Sequence, residues 1–557
     1  MTPFFQDPPH PGNRFRTDPT LRLTLEHLLP RDAFDEASRL FDRFGARAAE
    51  ELAPLADEAE RHEPEHVAFD PWGRRIDRID VHASWLKLVA IGQEEGLVAL
   101  PYEAPYGAWS RVVQAGMVNL FDPVAAMATC PLVMTDGAAR LLTDHDPELA
   151  ARHVPKLVAR SGGWTSGQWM TETTGGSDVG RSETTARDLG DGRYALNGLK
   201  WFTSATTSQM ALVLARPEGA PGGSRGLSLF LVELRNPDGS WNGIRVRRLK
   251  DKLGTRALPT AELELVDTVA VPVGGIGRGV AKMGGLLNIA RLWSSWSGPA
   301  GTGHLLALAR DYARRREVFG SKLADRPIHL AWIARIAAEY EAMLALTFNT
   351  AAVMGAAEHG ANDGLARLLA PLTKLACARQ GVWATSELVE SFGGAGYVED
   401  TGIPRIMRNV HVNCIWEGTT SVLAHDVLRV LGATDLGPAL LDDMDRRLAG
   451  LTHAPMDRVR GTIAAARHML APLVAEPDET QARRLAWGLA RSYQALLLAE
   501  AAQWRLVEKG DRSGLAAAEL FTREPLVAPQ TADIAETALR DLALGNHGGA
   551  DAEDAAA

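Results

Sequence analysis

The sequence predicts an α+β protein in which a run of β-strands is flanked on both sides by helical segments. Amphipathic helical patterns come first, short strands bounded by turn formers come next, and long Ala- and Leu-rich helical patterns follow. The expected divisions are an N-terminal arm with a helical domain, a central β-domain, a helical bundle, an extra helical domain and a disordered tail, at residues 1–161, 162–279, 280–435, 436–545 and 546–557.

Each division is justified by its local pattern. Residues 1–30 are proline-rich and are interpreted as an arm, after which apolar side chains recur at spacings of three and four. Residues 184–202 predict two strands joined by an Asp191-Gly192 turn, and further short branched runs favour an antiparallel sheet or barrel. After Gly279 the helical patterns have broad apolar faces, as in helices that pack on several neighbours.

The composition excludes several classes of protein. With 557 residues, 46% of them hydrophobic and 23% charged, the chain has the make-up of a globular protein with a large core. It has no long uninterrupted apolar run, and prolines and charges occupy the N-terminus where a signal peptide would need an apolar core. We therefore expect a cytoplasmic protein without a membrane partner.

Cysteine usage and net charge narrow the possible ligands and partners. The three cysteines, Cys130, Cys377 and Cys414, show no CxxC spacing, which argues against a disulfide framework and a zinc site. We expect no metal, and we expect these thiols to be buried as small apolar side chains. The net charge of −10 does not favour nucleic acid as a partner of the whole molecule.

Two segments of the central division hold candidate ligand-binding residues. In GQWMTETTGGSDVG, the stretch Gly175-Gly176-Ser177 can bring backbone N–H groups close to an anion or a polarised carbonyl. In LNGLKWFTSA, Trp201 and Phe202 lie between polar residues, so one ring can face a ligand. A structural glycine turn and a pair of core aromatic rings are the alternative interpretations.

Two segments of the helical bundle add a candidate anion-binding arginine and a candidate base. YARRREVFGSKL carries three arginines, and a helix-borne guanidinium suits a pyrophosphate. Further on, Glu417 is the one carboxylate in an apolar run, between Trp416 and Gly418, with no cation adjacent in the sequence. Burial would raise the pKa of such a carboxyl, which suits a general base. A solvated basic face and a surface glutamate are the alternatives.

Taken in order, these segments resemble the motifs of the acyl-CoA dehydrogenase family. MTETTGGSD is similar to its T-E-P-x-x-G-S-D motif, NGLKWF to N-G-x-K-x-W-I-T, RRREVFG to E-R-x-x-F-G, and FGGAGY with IWEGTT to G-G-x-G-Y followed by I-Y-E-G-T. The resemblance covers about residues 90–432. It implies an N-terminal helical domain, a central antiparallel β-domain and a C-terminal four-helix bundle, with residues 436–545 as an addition.

The resemblance also implies FAD, bound between the middle and C-terminal domains and partly across a dimer interface of a homotetramer. Met170 and Thr171 would lie along the flavin, with Gly176 and Ser177 bordering flavin and thioester. Phe202 stands where the family has a stacked Trp. The implied cofactor-binding residues are Met170, Thr171, Gly176, Ser177, Phe202, Ser204, Arg316, Phe319, Gly394 and Thr419.

Five of these residues have more specific implied roles. Arg316 would bind the FAD pyrophosphate of the neighbouring subunit, with Phe319 beside it and Gly394 close to that cofactor. Ser204 stands where the family has a Thr, and Thr419 would contact FAD just after the catalytic acid.

Glu417 matches the family's catalytic glutamate. It would take the α-proton of an acyl-CoA while a β-hydride moves to the flavin, and an electron-transfer flavoprotein or a similar acceptor would reoxidise the enzyme. Some members place the base on another helix next to an Arg, but the comparable position here is Ala290, before Arg291. Glu417 is therefore the predicted base.

Several details resemble one branch of the family, the AidB adaptive-response proteins. The chain has Thr173 where the family has Pro, a long C-terminal addition, and the segments RRLKDKLGTR and CPLVMTDGA. The branch implies FAD and the glutamate, weak dehydrogenase activity, and binding of double-stranded DNA through the extra domain in the alkylation-damage response. A flavin oxidase or monooxygenase on the same fold is a third hypothesis.

The charge of the extra domain does not clearly favour DNA. Residues 440–557 carry 13 Lys and Arg against 18 Asp and Glu. Some basic residues cluster and could line a groove, namely Arg446, Arg447, Arg458, Arg460, Arg467, Arg483, Arg484 and Arg491. A helical surface with interspersed charges is the alternative.

Overall fold

Helices flank one β-rich segment in the predicted order. The structure is a computed structural model and describes residues 6–361, 364–529 and 534–546. The first helices are α1 (Arg14–Thr17), α2 (Pro19–Leu28), α3 (Arg31–Arg47), α4 (Ala53–Arg61), α5 (Ala83–Glu94), α6 (Leu100–Glu103), α7 (Ser110–Phe121), α8 (Thr129–His145) and α9 (Pro147–Leu157). Between α4 and α5 lies a hairpin that the helical pattern did not predict, formed by strands β1 (Glu65–Phe69) and β2 (Arg75–Asp80).

The described part of residues 1–30 packs into the helical core and is not a free arm. Arg14 is 4% exposed, and its guanidinium donates to the carbonyl of Asn119 at 2.9 Å. The hydroxyl of Tyr340 donates to Asp18 at 2.6 Å. A buried guanidinium and carboxylate need such partners, so these bonds tie α1 and α2 to distant helices.

The central strands close into a ring. They are β3 (Ser166–Trp169), β4 (Thr185–Asp188), β5 (Tyr194–Ser204), β6 (Met210–Pro217), β7 (Ser228–Glu233), β8 (Ile244–Leu249) and β9 (Thr260–Pro272). The pairings β6–β4, β4–β5, β5–β9, β9–β7 and β7–β6 return to their start, while β3 and β8 pair with β6 and β9. Most pairings are antiparallel as predicted, but β3–β6 and β4–β6 are parallel.

The predicted hairpin forms between β4 and β5, with a longer connection than a two-residue turn. Asp188 pairs with Tyr194, so five residues connect the strands. Gly190 and Gly192 both adopt positive φ, at 83° and 80°. Glycine takes this conformation without strain, which is why the loop turns there.

The bundle follows the sheet and is extended by the last helices. Its members are α10 (Gly279–Lys282), α11 (Gly284–Arg315), α12 (Pro327–Glu358), α13 (Ala366–Glu390), α14 (Ile403–His411) and α15 (Thr420–Ala433). A two-strand hairpin, β10 (Glu317–Val318) and β11 (Ser321–Lys322), separates α11 from α12. The additional helices are α16 (Leu436–Gly450), α17 (Asp457–Ala475), α18 (Ala482–Lys509), α19 (Ser513–Phe521) and α20 (Glu536–Leu544).

Two contacts between α11 and α13 show how these helices run relative to each other. A Cβ on Gly298 of α11 would lie 2.3 Å from the carbonyl oxygen of Cys377 on α13, so only glycine permits this approach. Further along, the Tyr312 hydroxyl donates to the carbonyl of Phe392 at 3.4 Å. The two helices therefore run parallel, and their N-terminal ends lie at the same end of the bundle.

The additional helices share a core with the bundle. Arg491 of α18 forms a buried ion pair with Glu339 of α12 at 2.5 Å, and one hydrophobic cluster includes side chains of α12, α13, α15 and α16–α19. Among the described residues, no helix has both the length and the hydropathy needed to cross a bilayer. The predicted tail, residues 546–557, lies outside the described residues except for Asn546.

Candidate active site

Glu417 lies in a short break between helices. It follows the 3₁₀ turn Val412–Cys414 and precedes α15, whose N-terminus is capped by the Thr419 side chain. Glu417 has a φ of 55°, a left-handed conformation that is uncommon outside glycine, and Gly418 has a φ of 106°. Such conformations concentrate at functional sites, because the surrounding structure must hold them.

The tertiary structure surrounds this carboxyl with polar and cationic groups from three other elements. Burial raises its pKa, and the charges of Arg291 on α11 and Lys374 on α13 oppose that rise, as does a side-chain hydrogen bond with Gln168 on β3. The sequence shows no cation next to Glu417, but the fold supplies two. The predicted direction of the pKa shift holds because burial outweighs the two charges.

The two cations are held differently. Lys374 is fully buried, and its Nζ donates to the carbonyl oxygen of Gly418 at 2.5 Å. Burial lowers its pKa to about 7, against the charge of Glu417, which raises it. Arg291 instead forms an ion pair with Asp426 at 2.6 Å. Asp426 also binds Arg367 and Arg429, so the Arg291 charge is shared with an acid.

A buried ion pair joins the first two sequence motifs. Lys200 Nζ, on β5, lies 2.7 Å from Glu172 Oε1, and both side chains are almost fully buried. Glu172 also accepts a hydrogen bond from the Thr184 hydroxyl at 2.6 Å. Burial opposes the charge of Glu172, but Lys200 and these hydrogen bonds outweigh it, so its pKa is lowered. The pair holds the loop after β3 against β5.

The glycine stretch forms an open, tightly supported loop. Met170 and Thr171 directly follow β3 and are half-buried, and the backbone N–H of Trp201 donates to the Thr171 carbonyl at 2.9 Å. A Cβ on Gly176 would lie 2.6 Å from the Thr171 hydroxyl oxygen. Gly176 and Ser177 are exposed, so the backbone of this loop is open to solvent.

The neighbouring aromatic residues Trp201 and Phe202 differ in their exposure to solvent. Phe202 is 56% exposed, which contradicts the interpretation of this ring as a core residue, whereas Trp201 is half-buried. Lys250 Nζ lies 3.5 Å from the Trp201 ring centre and 4.7 Å from that of Phe202. The Ser204 hydroxyl is within 3.1 Å of the Thr260 hydroxyl.

Cys130 lies beside this site. Burial raises the pKa of its thiol to about 12, the charge of Lys252 opposes that rise, and the charge of Glu417 adds to it. A hydrogen bond with Ser204 also connects the thiol to β5. The expectation that Cys130 is buried is confirmed.

Three predicted residues lie at the far end of the bundle. Arg316 follows α11, and Gly394 follows α13. Twenty-five residues of helix separate Arg316 from Arg291, about 37 Å at 1.5 Å per residue. Phe319, in the turn between β10 and β11, is 98% exposed with a φ of 49°. Within one chain, the structure does not bring these residues to Glu417.

Sequence reasoning missed Gln168, Arg291 as a neighbour of Glu417, and Lys374. Lys374 had one usable signal, a single charge in the apolar run LLAPLTKLACA. Gln168 lies two residues before Met170, and its Oε1 is buried without a hydrogen-bond partner among the described residues. Such an unpartnered buried acceptor is uncommon, and here it belongs to a side chain that also hydrogen-bonds Glu417.

The chain is similar to known proteins both in its separate domains and over most of its length. Three family models match: the adaptive response protein AidB N-terminal domain at residues 6–161, the acyl-CoA dehydrogenase middle domain at 167–268 and the acyl-CoA dehydrogenase C-terminal domain at 277–432. Acyl-CoA dehydrogenase family member 11 of Caenorhabditis elegans is 37% identical over 89% of this chain and 85% of its own.

A bacterial relative and a solved structure agree with these matches. Putative acyl-CoA dehydrogenase AidB of Escherichia coli (strain K12) is 33% identical over 71% of this chain and 74% of its own. The structure of Caenorhabditis elegans ACDH-11 in complex with C11-CoA superposes with a TM-score of 0.94, at 34% identity, over 98% of both chains.

Proposed function

The chain belongs to the acyl-CoA dehydrogenase family and carries the AidB N-terminal domain, and we propose that it oxidises an acyl-CoA with Glu417 as the base. One observation carries the proposal: the Glu417 carboxyl, held in a left-handed conformation, has a raised pKa beside two cations and Gln168. A base needs this combination of high proton affinity and retained charge.

The family uses FAD, and the residues here fit that cofactor. When bound, FAD supplies the acceptor for the β-hydride. The exposed ring of Phe202 and the exposed backbone of Gly176 and Ser177 offer apolar and polar contacts to the cofactor. Met170, Thr171, Ser204 and Thr419 are proposed to complete these contacts.

The residues of this chain act on the proton. Glu417 accepts the substrate's α-proton at a carboxyl oxygen, and burial then favours the neutral acid over the carboxylate. Before the reaction, Arg291 and Lys374 oppose premature protonation. The Gln168 hydrogen bond orients the carboxyl.

A second chain is proposed to complete the cofactor site. Arg316, Phe319 and Gly394 lie at the opposite end of the bundle from Glu417, so a homo-oligomer, proposed as a tetramer, would let them reach the FAD of a neighbour. A 98% exposed phenylalanine in a tight turn supports this role, because exposed apolar rings mark interaction sites. A cytoplasmic location and an electron-transfer flavoprotein or similar acceptor complete the proposal.

The proposal is tested by an anaerobic screen in which acyl-CoAs of different chain length, including C11-CoA, are mixed with the flavin-loaded protein. We expect at least one to bleach the flavin absorbance. A protein that binds FAD but is not reduced by any of them would refute the dehydrogenase. Rapid reoxidation by O₂ after bleaching would favour the oxidase hypothesis.

Gly176→Ala is expected to weaken FAD binding by about tenfold, because the new methyl group meets the Thr171 hydroxyl and overpacking costs about 1–3 kcal/mol. Fluorescence titration of the apoprotein with FAD measures this. Gly222→Ala, in the same domain with no neighbour within 4 Å of its Cβ, is the matched control. Equal FAD affinities of the two variants would remove Gly176 from the proposed site.

The alternative function, binding of double-stranded DNA by residues 436–545, receives less support from the structure. Five of the eight clustered arginines form ion pairs, at distances of 2.5–2.9 Å; they are Arg446, Arg447, Arg460, Arg467 and Arg491. Arg491 is also buried. Within the described ranges, no acidic side chain pairs with Arg458, Arg483 or Arg484.

We therefore expect weak duplex binding, detectable by fluorescence anisotropy only at low salt. Counterion release would make it fall steeply as salt rises. Tight binding at physiological salt that is lost in the Arg458, Arg483 and Arg484 triple glutamine variant would instead favour the DNA-binding function.

A further inference from the structure

We infer that Lys374 is a positioning residue that holds the backbone at Glu417 and Gly418 in its left-handed conformation and keeps the Glu417 carboxyl charged and ready to accept a proton. The inference rests on the proposed role of Glu417 as the base. It extends that role by naming the group that prepares it.

The first support is the backbone contact. Lys374 lies on α13, fully buried, and its Nζ donates to the Gly418 carbonyl at 2.5 Å. That carbonyl belongs to the second of two successive residues with positive φ, Glu417 at 55° and Gly418 at 106°. Neither residue continues a helix, so intrahelical hydrogen bonds do not hold them. A side-chain donor from another helix can fix this conformation in their place.

The second support is electrostatic. Three groups act on Lys374 from the packed elements: Glu417 from the loop, Cys414 from the 3₁₀ turn and Arg291 from α11. Of these, Glu417 is the carboxyl, and its effect is the strongest after burial. A buried ammonium persists only with an anionic partner, and a buried carboxylate needs a cation in the same way. Each charge therefore maintains the other.

The third support is the contrast with Arg291. Arg291 pairs with Asp426, which in turn binds Arg367 and Arg429, so its charge belongs to a separate cluster. Among the described residues, Lys374 forms no ion pair of this kind, and its Nζ donates to the Gly418 carbonyl instead. Arg291 has the larger electrostatic effect on Glu417, but Lys374 is the cation that also contacts the backbone beside it.

The test is an infrared titration of the Glu417 carboxyl, which needs no substrate. The band of the protonated acid is assigned as the one missing in Glu417→Gln, and its intensity is followed with pH. Lys374→Gln keeps an N–H donor but removes the charge, and we expect it to raise the proton affinity of Glu417 by tenfold or more. Lys374→Arg keeps the charge, and we expect a curve close to that of the wild type.

Arg379→Gln is the matched control, since it removes an exposed charge from the same helix and should leave the titration unchanged. In the active enzyme, the rise of flavin reduction with pH should move to higher pH in Lys374→Gln. Coincident titration curves for Lys374→Gln and Arg379→Gln would overturn the role of Lys374. Failure of every acyl-CoA to bleach the flavin would count against the proposed function and not against the titration.

Discussion

Replacing Glu417 by glutamine is expected to slow anaerobic flavin reduction by an acyl-CoA by about 10²–10⁴-fold, the usual contribution of a positioned base. Glutamine has nearly the same shape and keeps polar atoms near Gln168, but it cannot accept the α-proton. Stopped-flow absorbance of the bound flavin measures the rate. The FAD content should stay close to that of the wild type, which separates a catalytic loss from a structural one.

The same role of Glu417 predicts the direction in which the rate of flavin reduction changes with pH. Burial raises the pKa of Glu417, so the carboxyl becomes a usable base only above that raised value. The rate of flavin reduction should therefore increase with pH across it, and Glu417→Gln should lose this increase. The control is Glu390→Gln, which replaces an exposed glutamate at the C-terminal end of α13. This variant should retain both the rate and the pH profile of the wild type. A Glu417→Gln enzyme as fast as the wild type would refute the assignment of the base.

Lys200→Met is expected to lower the free energy of unfolding by about 3–5 kcal/mol, the usual cost of removing one partner of a buried ion pair. The change leaves the Glu172 carboxylate buried without its cation and frees the loop from β5. Denaturant unfolding followed by circular dichroism measures the loss. Because that loop carries Thr171 and Gly176, FAD binding should weaken in parallel.

Two controls make this stability prediction specific. Arg193→Met removes an exposed cation 2.5 Å from Asp191, and solvent screening should leave the unfolding free energy nearly unchanged. The double variant Glu172→Gln with Lys200→Met removes both charges and should recover part of the loss. A Lys200→Met protein as stable as the Arg193→Met protein would show that the pair does not support the fold.

Much of the fold was predictable because its signals are local. Helical spacing, branched strands and turn-forming glycines act within a few residues of each other, and they predicted the helices, strands and the β4–β5 hairpin. What the sequence predicted wrongly was where a segment lies in the tertiary structure. The proline-rich N-terminus suggested an arm, but the described part is held in the core by Arg14 and Asp18, whose partners lie more than a hundred residues away in the chain.

The candidate site was predictable in part for the same reason. Its motifs are contiguous, so Glu417, Gly176 and Phe202 could be named, and the structure shows Phe202 exposed where core burial was an alternative. Gln168 and Lys374 carry no motif of their own. Their relevance comes from contact with Glu417 across helices and strands that are far apart in the sequence.

By itself, the sequence determined the order of helices and strands, the family motifs and the identity of the carboxyl proposed as the base. Only the tertiary structure decided which charges surround that carboxyl, what holds its backbone, and that Arg316 and Phe319 lie at the other end of the bundle. The physical reason is that the two kinds of interaction act over different separations along the chain. Backbone preferences are set by near neighbours, whereas burial and Coulomb interactions depend on distances in space that chain folding alone establishes.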